Sequence, residues 1–262
     1  MDGILLRQDE NGIATLTMNR PKALNALSEE MLTALQNEMD SIAESRSIRV
    51  VVLKGAGKAF CAGHDLKQMT AARQVEDAGK AYFNDLFAQC GRLMTSITKL
   101  PQPVIAQTHG IATAAGCQLV ASCDLAMAAD DTRFGVNGIN IGLFCSTPMV
   151  ALTRNISRKQ AFEMLTTGDF IDAARAESIG LINHAVPHDE LERATRSLAE
   201  KLSAQLGVAV KIGKESFYKQ LEMGLEDAYA FTGAAMAENM LHRETEKGVA
   251  AFLDKRKPEW DQ

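Results

Sequence analysis

The sequence predicts a mixed α/β (α+β) chain, rich in strands at first and helical from about Arg158 onward. Three observations carry this. Val50-Val51-Val52-Leu53 is a short apolar run that feeds a glycine-rich loop, Lys54 to Leu66. Val104 to Ala106 does the same, breaking at His109-Gly110 and opening into Ala114-Ala115-Gly116, a small-residue segment that favours helix. From Arg158 on, apolar residues recur at helical spacing between Gly168, Gly180, Gly207 and Gly224. Strands followed by helices imply a sheet-rich core with a helical region after it.

Taken in order, Ile4 to Leu6 starts as strand and Ile13 to Met18 alternates as its hairpin partner, with Glu10-Asn11-Gly12 as the turn. Asn19-Arg20-Pro21 ends the hairpin. Ser28 is a good N-cap, Glu29 and Glu30 suit a first turn, and Met31, Leu32, Leu35, Met39 and Ile42 form one apolar stripe, so a helix is expected over residues 28 to 44. Residues 69 to 98 start polar and then carry Tyr82, Phe83, Leu86, Phe87, Cys90, Leu93, Met94 and Ile97 at helical spacing, which predicts one helix lining an apolar space. Leu125 to Ala128 and Arg133 to Gly135 read as strands. Helices are expected over 158–165, 172–179, 189–206, 208–223 and 225–240. The last piece, Gly248 to Lys257, joins an apolar stripe to Lys255-Arg256-Lys257, cations that suit a helix C-terminus.

Composition narrows the function. At 262 residues and 46% hydrophobic content the chain can build one large domain or two. Its formal net charge of −5, with no long Lys/Arg tract, argues against non-specific nucleic-acid binding, and no apolar run is long enough to span a bilayer. The five cysteines include no CxxC pair, and no His stands at metal-ligand spacing, which implies reduced, buried thiols and no metal centre. Met1-Asp2-Gly3 leads directly into strand with no signal or transit peptide visible, so a bacterial-type cytoplasm is the expected location.

The Ala114-Ala115-Gly116 turn is the first candidate site. A helix opening on small residues leaves N–H groups without intrahelical partners and lets a ligand oxygen approach them. Such an end binds negative charge, although small residues also serve close packing alone.

Two segments, FCAGHDLK (Phe60 to Lys67) and HGIATAAGCQLVASCD (His109 to Asp124), resemble the signature segments of the crotonase, or enoyl-CoA hydratase/isomerase, superfamily. The likeness extends to NRPKALNAL (Asn19 to Leu27), TGDFIDAARAESIGLINHAV (Thr167 to Val186) and EKGVAAFLDKRKPEW (Glu246 to Trp260). It implies a crotonase-like spiral of ββα units over residues 1–200, holding an acyl-CoA site, and a C-terminal helical trimerisation region over 201–262, with trimers often paired into hexamers. No permanently bound cofactor is implied; coenzyme A enters as part of an acyl-CoA thioester substrate in fatty-acid metabolism.

By the same resemblance the backbone N–H groups of His64 and Ala115 form an oxyanion hole for a thioester enolate. Lys22, Ala23 and Ala26 approach the adenine and phosphates, joined by Ala62, His64, Asp65, Leu66 and Lys67, while Phe252 and Lys255 reach the nucleotide of a neighbouring subunit. The family's hydratases carry two catalytic glutamates, and at those positions this chain has Gln118 and Gly138. A glutamine orients water but does not accept its proton, and glycine does neither. Hydration by the two-glutamate route is therefore not expected, and isomerisation, decarboxylation, thioester hydrolysis and catalytically silent acyl-CoA binding stay open.

Among the remaining side chains, the His64 imidazole offers acid–base chemistry or a contact to a substrate carboxylate, or else turns to a polar contact with Asp65. Cys145-Ser146-Thr147 offers a nucleophile, or small polar lining of a pocket. Asp65 and Asp124 read as structural hydrogen-bonders.

Overall fold

The computed structural model describes residues 3–260. Strand β1 (Leu5–Glu10) pairs antiparallel with β2 (Ile13–Met18) across the Asn11-Gly12 turn. Helix α1 (Glu29–Ala43) is capped by the Ser28 hydroxyl, which accepts from the Met31 N–H, and buries Met31, Leu32, Leu35, Met39 and Ile42. Strand β3 (Val50–Gly55) follows. The expected single helix over 69–98 is instead two, α2 (Leu66–Ala72) and α3 (Lys80–Lys99). The break has a local cause: the Asp77 carboxylate accepts the Gly79 and Ala81 N–H groups, and Gly79 sits at φ +83°.

Next come β4 (Val104–Thr108), β5 (Ile111–Thr113), α4 (Ala115–Ser122), β6 (Leu125–Ala129) and β7 (Arg133–Gly135). Helix α5 (Pro148–Asn155), unexpected from the sequence, precedes α6 (Arg158–Thr167), β8 (Ile171–Asp172), α7 (Ala173–Ser178), β9 (His184–Val186) and α8 (Leu191–Ser203). Helices α9 (Gly207–Gln220), α10 (Leu225–Met240) and α11 (Arg243–Leu253) complete the chain.

The strands form two sheets. The larger runs β1-β2-β3-β4-β6-β9, parallel after the first pair, and the smaller runs β5-β7-β8. Successive passes of the chain give one strand to the large sheet, one to the small sheet and then a helix: β4, β5, α4 is one such unit. The inner strands β3, β4 and β6 of the large sheet are buried on both faces. One face meets the main core with α1, α3 and α4, while Val50, Val52, Ile105 and Met127 on the other meet Leu191 and Ala199 of α8. This explains why Val50 to Leu53 is continuously apolar rather than alternating.

An ion-pair network fastens α9 to this core. Lys214 Nζ lies 2.6 Å from Asp124 Oδ2 and donates to the Ile97 and Gln102 carbonyls, while Tyr218 Oη donates to Asp124 Oδ1. Asp124 Oδ2 also accepts the Val104 N–H. Asp124 is thus a structural hydrogen-bonder. Beyond this clasp, α9 and α10 bury no residue fully.

Candidate active site

Two turns meet at the heart of the site. In the first, Leu27 donates its N–H to the Gly63 carbonyl and accepts from the Asp65 N–H, the pattern of a parallel bridge centred on His64. Alternation along the strand then turns the His64 N–H to the opposite side, where Cys61 pairs with β5. In the second, Ala114 takes φ +50° and ψ −119°, a region that strains an L-residue by about 1–3 kcal/mol, and turns the chain from β5 into α4. Ala115 is the first residue of α4, so its N–H has no intrahelical acceptor. Among the described residues neither the His64 nor the Ala115 N–H has a protein acceptor.

Glycines let the turns touch. A Cβ on Gly63 would stand 3.0 Å from the Ala114 Cβ and 3.3 Å from the Ala115 nitrogen, and one on Gly116 would run into the Cys61 carbonyl oxygen. His64 and Ala115 line the same cavity of about 330 Å³, whose wall is mostly apolar: Leu66, Met69, Phe87, Ile141, Leu143 and Phe144 contribute to it. Polar groups gather beside Thr113, whose hydroxyl donates to Asn137 Oδ1 at 2.6 Å, and at Cys145, Ser146 and Thr147. Cys145-Ser146-Thr147 therefore lies in the cavity wall.

The other expected site residues divide. Ala62 and Leu66 line the cavity with His64, whereas Asp65, Lys67, Lys22, Ala23 and Ala26 stand outside its wall. The loop carrying Lys22 lies close by, since the Leu24 carbonyl accepts the Ala62 N–H, and Lys22 and Lys67 are exposed. Phe252 and Lys255 are not brought to the cavity. Phe252 is 81% exposed and lines a separate cleft with Val249, Arg256 and Trp260.

Gln118 is buried but also outside the wall, its Oε1 facing the Cys90 thiol at 3.9 Å. Gly138 does line the cavity. A side chain there is blocked, because its Cβ would meet the Leu143 carbonyl oxygen and stand 2.8 Å from Cys145 Sγ.

The open reading of His64 as a polar partner of Asp65 is corrected. The Asp65 carboxylate is committed to Arg20 Nη2 at 3.0 Å and to the Lys67 and Gln68 N–H groups that begin α2. Burial opposes its ionisation, but Arg20 and those N–H groups hold it below the usual carboxylate range. Both His64 ring nitrogens are shielded and unpartnered, and the ring meets Phe87 edge-on with centroids 5.6 Å apart. Burial pushes the imidazole below its ordinary value.

All five cysteines are buried and unpaired, and burial pushes the Cys61, Cys90 and Cys117 thiols up to about 12. Among the described residues no three His, Cys, Asp or Glu side chains converge as metal donors, and no helix is long and apolar enough to cross a membrane.

Two scaffold residues escaped sequence reading. Asn25, fully buried at φ +54°, donates to the Ala56 and Ala59 carbonyls and accepts the Arg20 N–H, so it fastens the Lys22 loop to the glycine-rich loop. Asn137 faces the cavity directly before Gly138, and only its polarity within an otherwise apolar stretch hints at the role.

The chain resembles known proteins along nearly its whole length. Residues 8–262 match the family model described as enoyl-CoA hydratase/isomerase. The enoyl-CoA hydratase domain-containing protein 3 of Xenopus laevis, named as mitochondrial, is 44% identical over 253 residues, covering 97% of this chain and 84% of that protein. The crystal structure of human enoyl coenzyme A hydratase domain-containing protein 3 superposes with a TM-score of 0.93 at 42% identity, covering 98% of this chain and 99% of that one. That of an enoyl-CoA hydratase from Mycobacterium smegmatis gives 0.95 at 52% identity over 100% of both chains.

The expected bacterial-type cytoplasm is overturned by the mitochondrial naming of such relatives. The sequence match and the superposed folds agree on one lineage, and the chain belongs to the enoyl-CoA hydratase/isomerase family.

Proposed function

We propose that the protein is an enzyme that binds an acyl-CoA thioester and stabilises its enolate with the His64 and Ala115 N–H groups. The observation that carries this reading is the pair of uncommitted donors, from two separate turns, beside one apolar cavity. Charge moving onto a carbonyl oxygen there meets donors already in place, and such a donor is typically worth about 2.7–4 kcal/mol in the transition state. The apolar wall takes the acyl chain. The exposed Lys22 and Lys67, with Ala23, Ala26 and Asp65 nearby, offer a route for the coenzyme A nucleotide across the surface.

Two-carboxylate hydration finds no support, because Gln118 lies off the wall and Gly138 has no room for a side chain. Thioester hydrolysis through Cys145 is also disfavoured, since burial raises its thiol and no base is bonded to it. Proton transfer at the enolate remains. The blocked Gly138 position favours one second reading, a silent acyl-CoA-binding protein.

Phe252 and Lys255 would act in an assembly, reaching the nucleotide held by a neighbouring copy. On this view residues 1–200 hold the site and 201–262 pack a trimer or a dimer of trimers.

Titration calorimetry with butyryl-CoA and free coenzyme A tests the reading, with saturable butyryl-CoA binding as the expected result. No binding at millimolar concentration would remove both versions. Turnover of any enoyl-, malonyl- or β-hydroxyacyl-CoA, followed by mass spectrometry, would remove the silent one.

A further inference from the structure

The apolar cavity has a polar corner whose hydrogen bonding is unfinished. Thr113 and Asn137 both line the wall, with Thr113 Oγ1 2.6 Å from Asn137 Oδ1. That separation is short for an amide N–H donor, whose usual distance is about 2.9–3.0 Å, and fits a hydroxyl donating to an oxygen. The hydroxyl therefore fixes the amide with Oδ1 toward Thr113 and Nδ2 turned away. Among the described residues Nδ2 has no acceptor, and on this half-buried side chain it is not shielded from solvent. An oriented donor is thus left open at the wall.

The fold sets this donor close to the proposed oxyanion hole. Thr113 of β5 pairs with Gly135 of β7, and the Ala114 N–H donates to the Gly135 carbonyl at 2.9 Å. From that one rung the chain reaches Ala115 two residues along one arm and Asn137 two residues along the other. The Thr113 side chain then ties the second arm back to the first. With a thioester oxygen on the Ala115 N–H, the Asn137 amide stands within reach of the first carbons of the acyl group.

We propose that Asn137 selects an acyl group with an uncharged oxygen on its β-carbon, oxo or hydroxyl, by donating a hydrogen bond to that oxygen from Nδ2. The assignment rests on the acyl-CoA reading above and holds whether or not the protein turns its ligand over. An unsubstituted chain strips water from Nδ2 and returns no acceptor, whereas a β-oxygen replaces the lost bond. The oxygen is uncharged because, among the described residues, the wall holds no Lys or Arg to meet a carboxylate. An amide does not titrate, so Asn137 sets which acyl group is preferred and moves no proton.

Calorimetry on the full-length protein with acetoacetyl-CoA, 3-hydroxybutyryl-CoA and butyryl-CoA tests this. The readout is the ratio of dissociation constants, butyryl-CoA over the β-oxygenated probe, taken on one protein so that a general loss of binding cancels. The unaltered protein should favour at least one β-oxygenated probe by at least about fivefold. N137A should bring that ratio to one or below, and N137D, nearly the same size but with an acceptor in place of the donor, should lower it as well. A ratio of one or below for both probes in the unaltered protein overturns the assignment, as does a preference that survives both substitutions. Failure of the unaltered protein to bind any of the three removes the acyl-CoA reading itself and the assignment with it.

Discussion

A Cβ on Gly138 would stand 2.8 Å from the Cys145 sulfur and collide with the Leu143 carbonyl oxygen. The carboxylate position is therefore closed by neighbouring backbone as well as lacking a carboxylate. G138A is expected to cost about 1–3 kcal/mol of stability, as overpacking does, and G138E more. Urea unfolding measures the cost, and wild-type stability in G138A would contradict the packing. The pair Q118E/G138E should not gain crotonyl-CoA hydration in a spectrophotometric assay.

Lys214 binds the helical region to the core where water is largely absent: its side chain is 7% exposed and that of Asp124 14%. Burial pushes the ammonium below its ordinary value, while Asp124 works to keep it charged. Removing one partner of such a pair strands the other, so K214M should lose about 3–5 kcal/mol. Y218F removes one hydrogen bond to a charged acceptor, at about 1.5–3 kcal/mol. Denaturant midpoints equal to wild type for K214M would refute the clasp.

His64 also sets a pH dependence of stability. Its folded value lies below the unfolded value of 6.5, so between the two the unfolded chain binds a proton that the folded chain does not. Stability from the neutral ring is complete above 6.5 and is lost as pH falls through the folded value. On acidification from about pH 7 to about pH 5, wild type should lose more stability than H64Q. Parallel curves for the two proteins would count against a depressed imidazole.

Helix α10 presents Leu225, Tyr229, Met236 and Met240 on one stripe at 75%, 73%, 72% and 58% exposure. Apolar surface of that extent calls for a partner. Light scattering should give a mass near three or six times the 28.4 kDa chain, and M236D or Y229D should lower it. A wild-type mass of a single chain at micromolar concentration would reject the assembly.

Much of the fold was legible because burial on one face writes a period into the sequence. Met31, Leu32, Leu35, Met39 and Ile42 are the buried residues of α1, and the helix expected over 225–240 spans Leu225–Met240. Where structure depends on a single side chain folding back on its own backbone, periodicity is silent. Asp77 splits α2 from α3 in this way, and α5 begins at Pro148, directly after Cys145-Ser146-Thr147, a run that reads as a nucleophile or a pocket lining and carries no helical period.

The donor turns were legible from Ala62-Gly63 and Ala114-Ala115-Gly116. What Gly138 faces was not, since that depends on Leu143 and Cys145 arriving from a loop with no period of its own. Likewise the choice between two readings of His64 needed Arg20, which takes Asp65 from 45 residues away in sequence.

The backbone of Ala114, held at φ +50° by its surroundings, has a consequence for how this protein comes to work. An alanine released from the fold would relax out of that shape and swing the next amide elsewhere. The proposed cradle for a negative oxygen thus depends on the completed fold. It belongs to the finished molecule, and no peptide cut from this region would carry it.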